Sequence, residues 1–134
     1  MTIRYKIEKP IEQVYPYLSD MQKFMEVHPV IYKVDHLSGQ EYLFYETLKV
    51  LFIPVSFSYK VSLTKTVENK QVVIYSRVQP GVYLDLIFDI EQDGTGTHVR
   101  ETIKIKALPG IKQLFTSIIR KAHLRFFENL KAIK

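Results

Sequence analysis

Polar and apolar residues alternate one by one along much of this chain, and the alternation gives way to a helical period over residues 110–134. Ile3, Tyr5 and Ile7 alternate with Arg4, Lys6 and Glu8, the period of a half-buried strand. Pro10 then stands where a first helical turn tolerates it, and Ile11, Val14, Tyr15 and Leu18 follow at helical spacing. Pro16 interrupts that spacing and would remove one backbone bond, which predicts two short helical pieces. Ser19 and Gln22 suit a capping box for the second piece, and His28-Pro29 ends it. From residue 30 to 106 the pattern is a meander of strands. In residues 55 to 65, Val55, Phe57, Tyr59, Val61 and Leu63 alternate with polar neighbours; Val82, Leu84, Leu86, Phe88 and Ile90 do so next, then Thr97, Val99, Glu101, Ile103 and Ile105. Residues 71 to 78 are apolar on both sides, but turns near Asn69 and Pro80 both place Val72, Ile74, Ser76 and Val78 on the buried face.

The final stretch carries Ile111, Leu114, Phe115, Ile118, Ile119, Ala122, Phe126, Leu130 and Ile133 on one stripe, opened by Pro109-Gly110. This predicts an amphipathic helix roughly 35 Å long, about the length of a ten-residue strand, so that helix and sheet can lie along one another. Leu124 and Phe127 fall off the stripe, and Arg125 and Asn129 fall near it, which predicts a far half held less tightly or in contact with something else.

With 134 residues, 46% hydrophobic and 25% charged, the chain suits one α+β domain over 1–134 and is too apolar for disorder. The expected architecture is a curved antiparallel sheet of about seven strands around a long C-terminal α-helix, with two short helices after the first strand. Cysteine is absent, which excludes disulfides, thiolate metal sites and a cysteine nucleophile. No leader-like or membrane-spanning apolar run is present, and a cytoplasmic location is expected. The net charge of +5 resides in residues 110 to 134, where six cations face the single acid Glu128. Either this is a solvated helix face or it is a patch for transient contact with an anionic membrane or an acidic partner.

The order of elements resembles the START-like, or SRPBCC, helix-grip superfamily, which includes polyketide cyclase/dehydrase-like and birch-pollen-allergen-like proteins. The resemblance is carried by Pro10-Ile11-Glu12-Gln13-Val14-Tyr15 through Ser19-Asp20, by Phe24 to Pro29, by the Asp93-Gly94-Thr95-Gly96-Thr97 hairpin and by Phe127 to Leu130-Lys131, so that it spans essentially the whole chain. It implies a helix-grip fold enclosing lipids, sterols, quinones or aromatic molecules. No shared catalytic constellation comes with it.

In a meander, successive turns alternate between the ends of the sheet. One end collects the polar turns near Ser38-Gly39-Gln40, Glu68-Asn69-Lys70 and Asp93 to Gly96. The other collects residues 50 to 55, 79 to 83 and 107 to 111 and is apolar. Leu51, Phe52, Ile53, Pro54, Tyr83 and Leu108 there form the mouth of a cavity, or else the loop folds back on the helix pair as core.

The expected cavity lining is Phe57, Tyr59, Ser76, Leu84, Leu86, Phe88, Phe115, Ile118, Ala122 and Phe126, with Glu46 and Glu101 as inward carboxylates. In a flat sheet those two strands stand about 19 Å apart, too far for direct cooperation. Each acid is either satisfied by a tyrosine hydroxyl, Arg125 or water, or serves as a polar anchor for a ligand. His28, His36, His98 and His123 lack metal-ligand spacing, so no metal and no cofactor is expected; His98 falls on the outer face, and His28 is either a helix-end residue or a cavity residue. No phosphate loop or nucleophile elbow appears, and a basic helix without an aromatic strand platform argues against nucleic acid. Three readings follow: a binding or transport module for a hydrophobic small molecule; a cyclase- or dehydratase-type enzyme moving protons with Glu101, Glu46, His28 or a tyrosine; and a regulatory or assembly protein with a filled core that docks a partner through the basic helix face, Leu124 and Phe127.

Overall fold

β1 (Thr2–Ile7) leads into two short helices, α1 (Ile11–Ser19) and α2 (Met21–Val27). Six strands follow, β2 (Ile31–Ser38), β3 (Glu41–Val50), β4 (Ile53–Val67), β5 (Gln71–Gln79), β6 (Val82–Asp93) and β7 (Gly96–Lys106), and the chain closes with α3 (Pro109–Lys131). These elements come from a computed structural model that describes residues 1–79 and 81–134; the expected turn residue Pro80 lies outside the described residues, and Gln79 is described by its backbone alone. The strands form one antiparallel sheet in the order β1-β7-β6-β5-β4-β3-β2. The expected meander is therefore the observed one, with β1 returning to pair with β7. Irregularities in pairing at Ile31/Lys33, His36/Ser38, Leu63/Lys65 and Arg77/Gln79 add twist and bend, which curves the sheet.

Two short helices precede the meander as expected, and the second is capped one residue later than predicted. α1 runs through Pro16 to Ser19, and the Asp20 backbone N–H closes it by donating to Pro16 O. Asp20 then opens α2, its Oδ1 accepting from the N–H of Gln22 at 2.9 Å and of Lys23 at 3.2 Å. The Ser19 hydroxyl donates backward to Tyr15 O, so the cap is Asp20 and not a Ser19–Gln22 box.

Alternation places Val72, Ile74, Ser76 and Val78 on the concave face of the sheet with Val82, Leu84, Leu86, Phe88 and Ile90. The face of β4 is buried only in part. Tyr59, Val61 and Leu63 are inside, whereas Phe57 is half-buried and Val55 is exposed. The cause is length: β4 meets β5 from Lys60, opposite Arg77, while its pairing with β3 continues to Ile53, opposite Val50. The pairs Thr47–Ser56 to Val50–Ile53 thus project as a two-stranded arm of about 13 Å. Leu51 and Phe52 turn its tip at φ 51° and 70°. A tight two-residue hairpin needs positive φ at both positions and usually takes Asn-Gly, because other residues bear about 1–2 kcal/mol of strain each.

α3 packs against β1, β7 and α2. Its grip is the reverse of the expected one. The far half is core: Phe126, Phe127 and Leu130 are fully buried, Phe127 stacks on Tyr5 at 4.9 Å, and Phe126 meets Phe24 at 4.9 Å. Asn129 Nδ2 donates to Val27 O at 2.8 Å and ties the same half to α2. The near half is held loosely, with Ile111 and Leu114 exposed and Phe115, Ile118, Ile119 and Ala122 half-buried. Phe127 is therefore no docking residue, and Leu124 is half-buried against the core.

Candidate functional site

Between the concave sheet and the near half of α3 lies a cavity whose free interior is about 40 Å³, room for a few waters. α2 contributes Phe24; the α2–β2 connection contributes His28 and Val30; β3 contributes Phe44, Glu46 and Leu48; β4 contributes Tyr59; β5 contributes Ile74, Ser76 and Val78; and β6 contributes Leu84 and Leu86. α3 closes it with Phe115, Ile118, Ile119, Ala122 and His123. A groove of about 920 Å³ runs beside α3 next to this cavity, and Val30, Leu48, Ile118 and Ala122 line both. Pro29, Thr47, Lys49, Pro54, Lys121 and Arg125 border the outer part. The groove follows the flank between β3 and α3.

Five polar side chains converge on this hydrocarbon lining: His28, Glu46, Tyr59, Ser76 and His123. The Tyr59 hydroxyl donates to Glu46 Oε1 at 3.1 Å, satisfying the acid in one of the ways expected of it. Burial pushes the Glu46 carboxyl up to about 7, against the opposing effects of the Tyr59 hydrogen bond and of nearby His123. Burial and the Glu46 carboxyl also raise the Tyr59 phenol well above its ordinary value. His28 is held well below its ordinary value by burial and by His123, so it is neutral near pH 7. Its Nδ1 accepts from the backbone N–H groups of Val30 and Ile31, both at 3.3 Å, which leaves the proton on Nε2. The His28 ring meets the His123 ring edge-on, with centroids 5.7 Å apart.

His123 also reaches Glu101, which does not line the cavity itself but lies behind it. His123 Nδ1 is 2.6 Å from Glu101 Oε2, and both side chains are buried. The distance is that of an ion pair, yet the approach is off the line of the ring N–H, so neither Nδ1 nor either Glu101 oxygen has a well-aligned hydrogen bond. The partner of Glu101 is thus a histidine, not Arg125, which is exposed. Glu46 on β3 and Glu101 on β7 stand four strands apart in the sheet, and His123 on the helix lies close to both.

Of the residues expected to line a cavity, Tyr59, Ser76, Leu84, Leu86, Glu46, Phe115, Ile118 and Ala122 surround this one. Phe88 and Phe126 lie behind it as fully buried core, Glu101 lies behind His123, and Phe57 flanks Tyr59 at 5.8 Å near the base of the arm. Among the expected mouth residues, Pro54 borders the groove. Leu51, Phe52, Ile53 and Leu108 are exposed and do not fold back on the helix pair. Tyr83 belongs to the opposite face of the sheet, because Val82 and Leu84 point inward; it stacks on Tyr75 with Arg77 over its ring. His28 takes the cavity position that was one of its two expected places, whereas His123 was passed over by reasoning from metal spacing. One signal was available for His123, which follows Phe115 and Ile119 at steps of four. Among the described residues no group of acids and histidines is arranged to hold a metal, and no helix is long and apolar enough to cross a membrane.

No protein-family model matches the sequence, nor does any curated protein. Solved structures match the fold over nearly the whole chain. A conserved protein from Geobacillus kaustophilus superposes with a TM-score of 0.76 at 10% identity, covering 97% of this chain and 91% of that one. Ara h 8.0201 does so with a TM-score of 0.70 at 10% identity, covering 98% and 95%. The di-domain ARO/CYC protein StfQ of the steffimycin biosynthetic pathway gives 0.76 at 8% identity, with 98% of this chain spanning 49% of that one. At such identities the likeness is one of architecture, and it agrees with the element order, the curved seven-stranded sheet and the gripped helix seen here. The chain has the helix-grip fold that these structures share.

Proposed function

We propose that this protein binds a hydrophobic small molecule in the space between its sheet and the near half of α3, with the flanking groove as the entrance. The observation that supports this reading is that an apolar cavity and a neighbouring groove of about 920 Å³, within the roughly 300–1,000 Å³ typical of small-molecule sites, share Val30, Leu48, Ile118 and Ala122 as a common wall. The closed interior of about 40 Å³ on its own would suit a filled core. The loose seating of Phe115, Ile118, Ile119 and Ala122 favours the ligand reading, because an outward movement of that helical half enlarges the interior without disturbing the anchored half. His28 Nε2–H, Glu46 and the Tyr59 hydroxyl then offer hydrogen bonds to one polar group on an otherwise apolar ligand.

Ala122 lines both spaces, so Ala122→Trp blocks the passage. Titration with anilinonaphthalene sulfonate, a fluorescent apolar probe, should give saturable binding to the parent chain and binding weakened by about tenfold or more in Ala122→Trp. Equal binding by both proteins would place the probe elsewhere and count against the reading. Native mass spectrometry of freshly purified protein adds a second check, a co-purifying apolar species in the parent and none in the variant.

A second reading, an enzyme of cyclase or dehydratase type, is favoured by one observation. A carboxyl ionising at about 7 is suited to both give and take a proton near neutrality, and Glu46 faces the cavity. Glu46→Gln separates the two readings: retained probe binding with loss of turnover on a polyketide-like substrate favours the enzyme.

A further inference from the structure

The β3–β4 arm has side chains at its tip that its own backbone does not favour. Phe52 is 95% exposed and Leu51 81%, both on left-handed backbone where Asn-Gly would sit without strain. Strained positions carrying large apolar residues in full contact with water are a cost to the free protein and point to a use for those side chains. Ile53 continues the apolar tip, and Leu108, Ile111 and Leu114 are exposed at the same end of the sheet, around the β7–α3 corner.

The two segments that build this apolar end are basic. Residues 47 to 67 contain no acid, and neither do residues 102 to 127, which hold six cations. Lys49 near the tip of the arm and Lys112, Arg120 and Lys121 on α3 are exposed, and among the described residues none pairs with a carboxylate. Lys49 and Lys121 border the same groove, so the arm and the basic face of α3 lie on one side of the molecule. An apolar prow flanked by unpaired cations complements an anionic lipid surface, whose headgroups attract the cations while its acyl boundary takes the apolar tip.

We propose that the β3–β4 arm docks this protein on anionic membranes, Leu51, Phe52 and Ile53 entering the boundary between headgroups and acyl chains while Lys49 and the α3 cations meet the phosphates. The proposal is independent of what the cavity holds. The test is co-sedimentation of the full chain with vesicles of phosphatidylcholine, alone or mixed with phosphatidylglycerol, for the parent and for Leu51→Asn/Phe52→Gly. That double substitution relieves the backbone strain, so the variant should melt at the same temperature as the parent or higher, which removes misfolding as a cause of lost binding. Expected are sedimentation with the mixed vesicles, weakening as salt is raised, and an apparent affinity lower by about tenfold or more in the variant. Failure of the parent to sediment with mixed vesicles would overturn the proposal, as would equal sedimentation of the two proteins. So would a dimer of the parent in analytical ultracentrifugation that the variant loses, since the tip would then be covered by a second copy.

Discussion

His123 Nδ1 lies 2.6 Å from Glu101 Oε2, so a helix residue stands against an acid that a strand carries into the core. Removing one partner of such a buried pair strands the other, whereas removing both leaves hydrocarbon. His123→Leu should therefore destabilise the fold by about 3–5 kcal/mol, and Glu101→Leu/His123→Leu should recover most of that loss in urea unfolding. Equal losses in the single and double variants would show that His123 is not what holds Glu101.

Glu46 makes stability depend on pH in a defined direction. Below about 4.5 it is protonated in the folded and the unfolded chain alike and contributes no slope. Between 4.5 and about 7 the unfolded chain loses the proton first, so stability falls as pH rises, by an upper value of about 3 kcal/mol. Glu46→Gln abolishes this slope and keeps an acceptor for Tyr59. Calorimetry at pH 4 and pH 8 should find parent and variant alike at the lower pH and the variant more stable by about 1–3 kcal/mol at the higher. His28, whose depressed value produces the opposite slope as pH falls below 6.5, cancels in the difference between the two proteins. Parallel pH curves would refute the role given to Glu46.

The two halves of α3 should respond to truncation very differently. Phe127 is fully buried against Tyr5, and Phe127→Ala should cost about 3–5 kcal/mol. Leu114 is 43% exposed, and Leu114→Ala should change stability by no more than about 0.5 kcal/mol. Comparable losses at the two positions would contradict the uneven grip.

Hydrogen exchange reports the same asymmetry without mutation. Amides of residues 113 to 119 should exchange faster than those of residues 124 to 130, and anilinonaphthalene sulfonate should slow the first set selectively. Uniform protection along the helix would leave the groove without a moving wall.

Much of this architecture was legible in the residues. Strict alternation in β6 and β7, the turns at Gly39, Asn69 and Gly94 with their positive φ, and the change of period at Pro109 are local signals, and the observed elements follow them. The two short helices were expected, but the second opens one residue later than the Ser19 cap predicts. Asp20 prevails by satisfying two free N–H groups, while Pro16 forfeits one bond that α1 tolerates. The candidate site was legible only in part: inward strand positions such as Tyr59, Ser76 and Leu86 follow from alternation, but which inward residues border free space does not.

Local pattern alone determined the meander, the inward faces of β5, β6 and β7, and a long amphipathic helix at the end of the chain, because each depends on spacing between residues near one another in sequence. Tertiary structure decided which half of that helix is anchored, since burial of Phe127 depends on Tyr5, 122 positions away along the chain. It also decided that His123 stands beside both Glu46 and Glu101, through a sheet curvature that no single strand encodes, and that β4 outruns β5 and leaves Phe52 in water, through a register set jointly by three strands. Periodicity tells a side chain which face to occupy; only the packing of distant segments tells it what it will meet there.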